Sequence, residues 1–156
     1  MAWLVIRVRG DIGVDRRIKD TMSHLNLTRV NHAVIINEND TNAGMLQKAK
    51  DYITWGEISQ SAIAGLLKER GRMAGDKPVD DSVIKDNSDL DDIEALAKGI
   101  AAGTASIKDV EGLKRVFRLH PPRGSKGWGG IKRAYTIGGA LGFRGEAIED
   151  LASRMI

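Results

Sequence analysis

Three apolar, β-branched runs alternate with two amphipathic ones inside residues 1–58, and that order leaves few folds open. Trp3–Val8, bounded by Gly10 and Gly13, reads as a first strand, Thr28–Ile36 as a second and Tyr52–Ile58 as a third. Between the first two, Asp15 is placed to cap a helix running to about Leu25. Ile18, Met22 and Leu25 follow at spacings of four and three, one apolar stripe of a helix. Between the second and third, Asp40 or Thr41 opens a short helix carrying Ala43, Met45, Leu46 and Ala49. The order is β-α-β-α-β, a compact α+β packing of a sheet against two helices. Aromatic residues make up only 4% of the chain, so its core must be built from Ile, Leu, Val, Ala and Met. A chain of 156 residues can hide roughly 70% of its unfolded surface without disulfide staples.

Beyond residue 58 the pattern changes. Ser59 opens a helix with Ala62, Ile63, Leu66 and Leu67 apolar, stopped near Gly71. Asp76–Asp89 is acidic and polar, with at most a short helix around Ser82–Lys85. Leu90–Ala102 is helical, and a short turn of helix follows at Ser106–Glu111. Val116–Leu119 reads as an extra strand, and His120-Pro121-Pro122 then extends the chain and forbids regular structure. Gly124–Gly130 cannot hold a stable helix, and Glu146–Met155 closes the chain with one, turning Ile148, Leu151 and Ala152 inward. The chain therefore divides into a β-α-β-α-β core (1–58), a partly acidic helical segment (59–111) and a basic extension with a closing helix (112–156).

Charge is segregated along these segments. Residues 112–145 hold eight cations and no carboxylate, together with nine of the eighteen glycines, both phenylalanines, Trp128 and Tyr135. Residues 73–98 are net −5. Cations on a bendable backbone with flat rings between them suit a polyanion with exposed bases, because guanidinium and ammonium groups neutralise phosphates and aromatic faces stack on bases. That points to RNA. The candidate contacts in this segment are Arg115, Arg118, His120, Arg123, Lys126, Trp128, Lys132, Arg133 and Arg144. A second basic surface comprises Arg16, Arg17, Lys19, Arg29, His32 and Lys48. Arg16, Arg17 and Lys19 would oppose the helix dipole at a cost of up to ~1 kcal/mol, which a partner anion would offset. The plainer alternative is a flexible surface loop with incidental basic residues. His32 either faces RNA or pairs within the sheet. His120 either meets a phosphate or makes a local hydrogen bond. His24 is structural or solvated.

Other chemistries lack their parts. With no cysteine there is no disulfide, thiolate nucleophile or cysteine-held metal, which fits a reducing compartment. The glycine-rich run matches neither the P-loop nor the dinucleotide spacing. Three scattered histidines make a poor metal site. The acidic cluster Asp80, Asp81, Asp86, Asp89, Asp91, Asp92 and Glu94 lacks EF-hand spacing and reads as a solvated face. No cofactor, metal, membrane or small-molecule substrate is expected, and no catalytic cluster can be assembled. The absence of an apolar membrane-length run and of a signal peptide makes the cytoplasm the expected compartment. The rival from another class is a small-ligand regulatory module on a ferredoxin-like sheet, which would need a glycine-lined effector pocket.

Two sets of motifs carry a family resemblance. In the first half stand Leu25-x-Leu27, Val30-Asn31-His32-x-Val34, Gly44-Met45-Leu46 with Lys48, and Trp55-Gly56-Glu57. In the second stand Phe117-Arg118-Leu119-His120-Pro121-Pro122-Arg123-Gly124 and Gly138-Gly139-x-Leu141-Gly142-x-Arg144 before the closing helix. In order and at this length they resemble the large-ribosomal-subunit protein family L thirty in its archaeal form, whose eukaryotic counterpart is L seven. The resemblance implies an antiparallel three-stranded sheet with two helices, related to the ferredoxin-like fold. It also implies a non-catalytic ribosomal constituent that binds large-subunit rRNA, in the neighbourhood of 5S rRNA and of other ribosomal proteins. Ser125 stands where many relatives have a second glycine, and the long basic N-terminal arm of eukaryotic relatives is absent.

Overall fold

The computed structural model describes residues 2–124 and 127–156. The first half follows the expected order: β1 (Ala2–Arg7), α1 (Arg16–His24), β2 (His32–Asn37), α2 (Asp40–Lys48) and β3 (Ile53–Ile58). Three helices follow: α3 (Gln60–Arg70), α4 (Asp81–Asn87) and α5 (Ile93–Ala102). The remainder holds β4 (Val116–Arg118), β5 (Gly130–Ala134), β6 (Gly139–Phe143) and α6 (Ala147–Met155), with single 3-10 turns at Ile107–Asp109 and Tyr135–Ile137.

The starts of α1 to α5 are set by side-chain caps, each satisfying a backbone N–H that the first turn leaves free. Asp15 caps α1 through Arg17 N, and Ser59 caps α3 through Ala62 N. In α2 the cap is Asn39, accepting from Asn42 N at 2.7 Å, one residue before the expected Asp40 or Thr41. Part of the acidic cluster serves the same purpose. Asp80 caps α4 through Val83 N, and Asp92 caps α5 through Ala95 N. Asp81 accepts from Ile93 N at 3.1 Å, joining the two helices. Among the described residues no cluster of His, Asp and Glu could hold a metal ion, and no helix is long and apolar enough to cross a membrane.

The expected three-stranded sheet needs correction. Its antiparallel centre, β2-β1-β3, is present, with Val5 opposite both Val34 and Trp55. It is the middle of a six-stranded mixed sheet ordered β4-β2-β1-β3-β6-β5. β4 adds antiparallel to β2, β6 adds parallel to β3, and β5 adds parallel to β6. The reason is edge protection: β2 and β3 would otherwise present unpaired backbone groups, and the C-terminal extension covers both.

The sheet is also buried on two faces rather than one. Alternate residues of β1 enter different clusters. Val5 packs with Met22, Leu27, Val34, Leu46 and Trp55 under α1 and α2. Leu4 and Ile6 pack with Leu66, Leu67, Leu96, Phe117 and Leu151 beneath α3, α5 and α6. A central strand buried on both sides reads as a continuous apolar run, as Trp-Leu-Val-Ile does here. The second cluster draws on all three segments read from the sequence, from Leu4 and Ile58 through Leu66 and Leu96 to Phe117 and Leu151.

Candidate nucleic-acid interface

The short strand β4 organises one basic surface. Its middle residue, Phe117, is fully buried against the α3/α5/α6 side. Strand alternation then turns Arg118 to the other face, where it stands in register opposite His32. Asn31, in a left-handed turn at φ 70°, starts β2 at His32 rather than at Thr28. Arg29 lies exposed in the preceding loop. The result is an open groove of about 390 Å³ lined by Asn26, Thr28, His32, Lys114, Arg115, Val116 and Arg118. Its lining carries three cations and a histidine and no carboxylate.

His32 is half-buried at the floor of this cluster, 3.4 Å from Thr28 Oγ1 through Nδ1. Burial, then the neighbouring charges of Arg118, Arg29 and Arg7, hold its pKa below the ordinary 6.5. Pairing in the sheet and lining an open surface do not exclude each other: His32 stands opposite Arg118 in the sheet and also lines the groove. On the outer side Asp76 pairs with Lys114 and, at 3.6 Å, with Arg118. These exposed pairs are worth little to the fold. They do keep the Asp76 carboxyl below its usual range, the Lys114 hydrogen bond being the main cause.

Arg16, Arg17 and Lys19 are exposed on the first turns of α1, which holds no acid there, and Lys48 is exposed at the end of α2. The proline run leads away from β4 along α6. His120 N donates to Met155 O at 2.8 Å and Arg123 N to Arg154 O at 3.1 Å, so the His120 and Arg123 side chains are carried outward on a strapped backbone. Lys126 lies outside the described residues. Lys132 and Arg133 are exposed on β5, at the far edge of the sheet. Arg115 and Arg118 therefore sit at one edge, and Lys132 and Arg133 at the other.

Two expected contacts sit differently from the rest. Arg144 is buried: Nε donates to Thr54 Oγ1 at 2.8 Å and Nη2 to Ala140 O at 2.7 Å. The side chain is spent on joining β3 to β6, so the expectation of direct RNA contact by Arg144 is corrected. Burial pulls its pKa down, yet an arginine starts so high that it stays charged. Trp128 is half-buried and packs against the small cluster Val8, Ala140 and Leu141 as well as the main core. That packing leaves only part of its ring open.

Sequence reasoning missed the turn between β5 and β6. Residues 131–138 are all exposed, and they include Ile131, Tyr135 and Ile137, with Phe143 exposed just beyond. The available signal was an apolar residue at each of these positions with no periodic partner.

Known proteins match along the whole chain. Residues 3–53 match the family described as Ribosomal protein L30p/L7e. Curated relatives extend the likeness to both ends. The "Large ribosomal subunit protein uL30" of Methanopyrus kandleri is 48% identical over 149 residues, 96% of this chain and 100% of the relative. That of Methanosphaera stadtmanae is 49% identical over 154 residues, 99% of each chain. That of Methanococcus vannielii is 47% identical over 156 residues, 100% of each. At this identity and coverage the class is that of ribosomal proteins, which are structural and not enzymes. Within that class, the chain belongs to the uL30 family of the large subunit in its archaeal form.

Proposed function

We propose that this chain is a cytoplasmic, structural constituent of the large ribosomal subunit that grips folded rRNA through basic surfaces at two edges of its sheet. The observation that carries this reading is the groove beside β4. Arg118 from a strand, His32 from its neighbour and Lys114 and Arg115 from the connecting loop converge on one acid-free concavity. Arg29 stands beside them, and Arg16, Arg17, Lys19 and Lys48 extend the positive surface along the helical face. At the other edge Lys132 and Arg133 supply the second grip, and exposed His120 and Arg123, on the segment strapped to α6, and the open part of Trp128 add to the basic surface. Phosphate contacts of this kind fix orientation, and RNA shape supplies most of the specificity. Neighbouring ribosomal proteins and a position near 5S rRNA belong to the same proposal through the family likeness. A small-ligand regulatory module is disfavoured: among the described residues, three well-formed concavities, near His24, beside β4 and near Arg70, have no glycine in their linings.

The direct test is the salt dependence of binding to large-subunit rRNA fragments. Each lost phosphate contact removes about one unit from the slope of log affinity against log salt, taking duplex DNA as the guide. Arg29→Ala, Arg115→Ala and Arg118→Ala combined should flatten that slope by about three. An unchanged slope would move the interface away from the groove.

His32 supplies an independent readout. In the free protein its protonation is held down by burial and by Arg118 and Arg29 on the ligand side, with Arg7 from β1 beneath. A phosphate in the groove favours the protonated ring, so the complex binds more protons than the free partners. Affinity should therefore rise as pH falls from neutrality toward the lowered pKa of His32 in the free protein, and His32→Asn should lose that rise while still binding. A wild-type pH profile no steeper than the variant's would remove His32 from the contact.

A further inference from the structure

The turn joining β5 to β6 is built unlike the rest of the surface. Ile131 is 42% exposed, Tyr135 40%, Ile137 69% and Phe143 48%. Tyr135 and Ile137 lie in the turn itself, Ile131 on β5 before it and Phe143 at the end of β6, and so many exposed large apolar side chains within one short stretch of chain mark an interaction site rather than ordinary surface. Their neighbours are cations. Lys132 and Arg133 sit between Ile131 and Tyr135, and no carboxylate occurs from residue 112 to residue 145.

Two of these side chains are rings with a fixed support: Phe143 leans on the buried Trp55 ring, 6.3 Å between centroids, and Tyr135 rests on a cation. The guanidinium of Arg144 lies 4.8 Å from the Tyr135 centroid, a cation–π contact. Arg144 is itself clamped by Thr54 and Ala140. The ring is thus held from one side by a buried, charged residue while part of its surface remains open to solvent. A pre-positioned aromatic loses little freedom when a partner stacks on it, and the cation beneath tightens the hold on an electron-rich base above.

We propose that this turn is a stacking site for an unpaired RNA base, with Tyr135 as the platform, Arg144 as the residue that positions it, and Lys132 and Arg133 taking the flanking phosphates. The proposal deepens the rRNA reading and rests on it. An unpaired nucleotide fits because single-stranded RNA is recognised by flat rings combined with cations, whereas a duplex hides its base faces. A protein neighbour would match the isoleucines equally well but would leave the acid-free, cation-flanked ring unexplained.

The test compares two probes with the full chain: a short single-stranded oligoadenylate containing one 2-aminopurine, and a fully paired RNA duplex of the same length. Tyr135→Ala should weaken oligoadenylate binding roughly 5- to 150-fold and abolish quenching of the 2-aminopurine. Duplex affinity should stay within about twofold, because the β4 groove is untouched. Tyr135→Phe should retain both. Unchanged oligoadenylate binding by Tyr135→Ala would overturn the proposal, as would an equal loss for both probes. Wild-type binding to the duplex alone would overturn it while leaving the rRNA reading intact, and binding to neither RNA would overturn both. Normal RNA binding by Tyr135→Ala together with poor incorporation into large subunits would assign the patch to a protein neighbour instead.

Discussion

Gly56→Ala should destabilise the fold by about 3 kcal/mol, at the upper end of the usual cost of overpacking. A β-carbon on Gly56 would lie 2.0 Å from the Gly145 carbonyl oxygen and 2.9 Å from both Cβ and Cγ2 of Ile148. None of these is a flexible side-chain end that could swing away. Gly145 leads into α6, and Ile148 is a fully buried residue of that helix set against Gly56 of β3. The methyl group would have to push the closing helix off the sheet. It would also strain the neighbouring hydrogen bond from Arg144 N to Trp55 O, 2.9 Å long. For a domain of this size the loss corresponds to a fall of about 6–12 °C in melting temperature. Gly44→Ala in α2 and Gly65→Ala in α3 are the matched controls. Both glycines are helical and have nothing within 4 Å of the added methyl, so each should gain up to ~1 kcal/mol. Urea midpoints of the three variants check this directly. A Gly56→Ala midpoint equal to the controls would mean that α6 does not seat on β3 as described.

The same glycine shows what can and cannot be read without coordinates. The Trp55-Gly56-Glu57 motif is visible in the sequence, and Trp55 is buried as its apolar setting in a strand suggests. The requirement for glycine comes from residues 145 and 148, far along the chain, and no local pattern announces it. Local signals performed well wherever local physics decides. Apolar period located α1, α3, α5 and α6 to within a few residues, and cap chemistry fixed the starts of α1 and α3, because a helix satisfies its own backbone. β4 was readable from Val-Phe-Arg because a β-branched and an aromatic residue stand side by side there, both good strand formers.

β6 was not readable as a strand. Its sequence, Gly-Ala-Leu-Gly-Phe, is poor in β-formers, and Gly142 sits at φ 83°. It is a strand because β3 offers a parallel partner, with Thr54 opposite Gly142 and Trp55 opposite Phe143. β5 follows only because β6 is there. Its last four residues are exposed, so it shows no in–out alternation at all. The candidate interface divides the same way. Composition reveals that residues 112–145 are cationic, but it cannot distribute those cations between two edges of a sheet or between surface and interior. Arg144 is the clearest case, since its neighbours in sequence resemble those of an exposed loop while its actual partners are Thr54 and Tyr135.

That arrangement makes Arg144 and Thr54 an energetic unit, and breaking it is the second large effect expected. Thr54 is fully buried; its hydroxyl donates to Gly142 O at 2.9 Å and accepts from Arg144 Nε at 2.8 Å. Arg144→Met keeps most of the volume and removes the charge. It should cost about 3 kcal/mol, because hydrogen bonds from a charged donor are worth roughly 1.5–3 kcal/mol and Ala140 O is left without its partner. Thr54→Val should cost about 2 kcal/mol, since it strands both the Gly142 carbonyl and one donor of a buried cation. If the two side chains act together, the double variant should be less destabilised than the sum by about 1 kcal/mol or more. Additive losses would mean that Arg144 and Thr54 stabilise the β3–β6 junction separately. Tyr135 adds a diagnostic that stability alone does not give. Without the guanidinium beneath it the ring loses its support, so the Arg144→Met protein, measured well below its melting temperature, should quench 2-aminopurine in oligoadenylate less than wild type does. Full quenching there would show that the platform stands without Arg144, leaving the buried arginine a purely structural tie between the two halves of the chain.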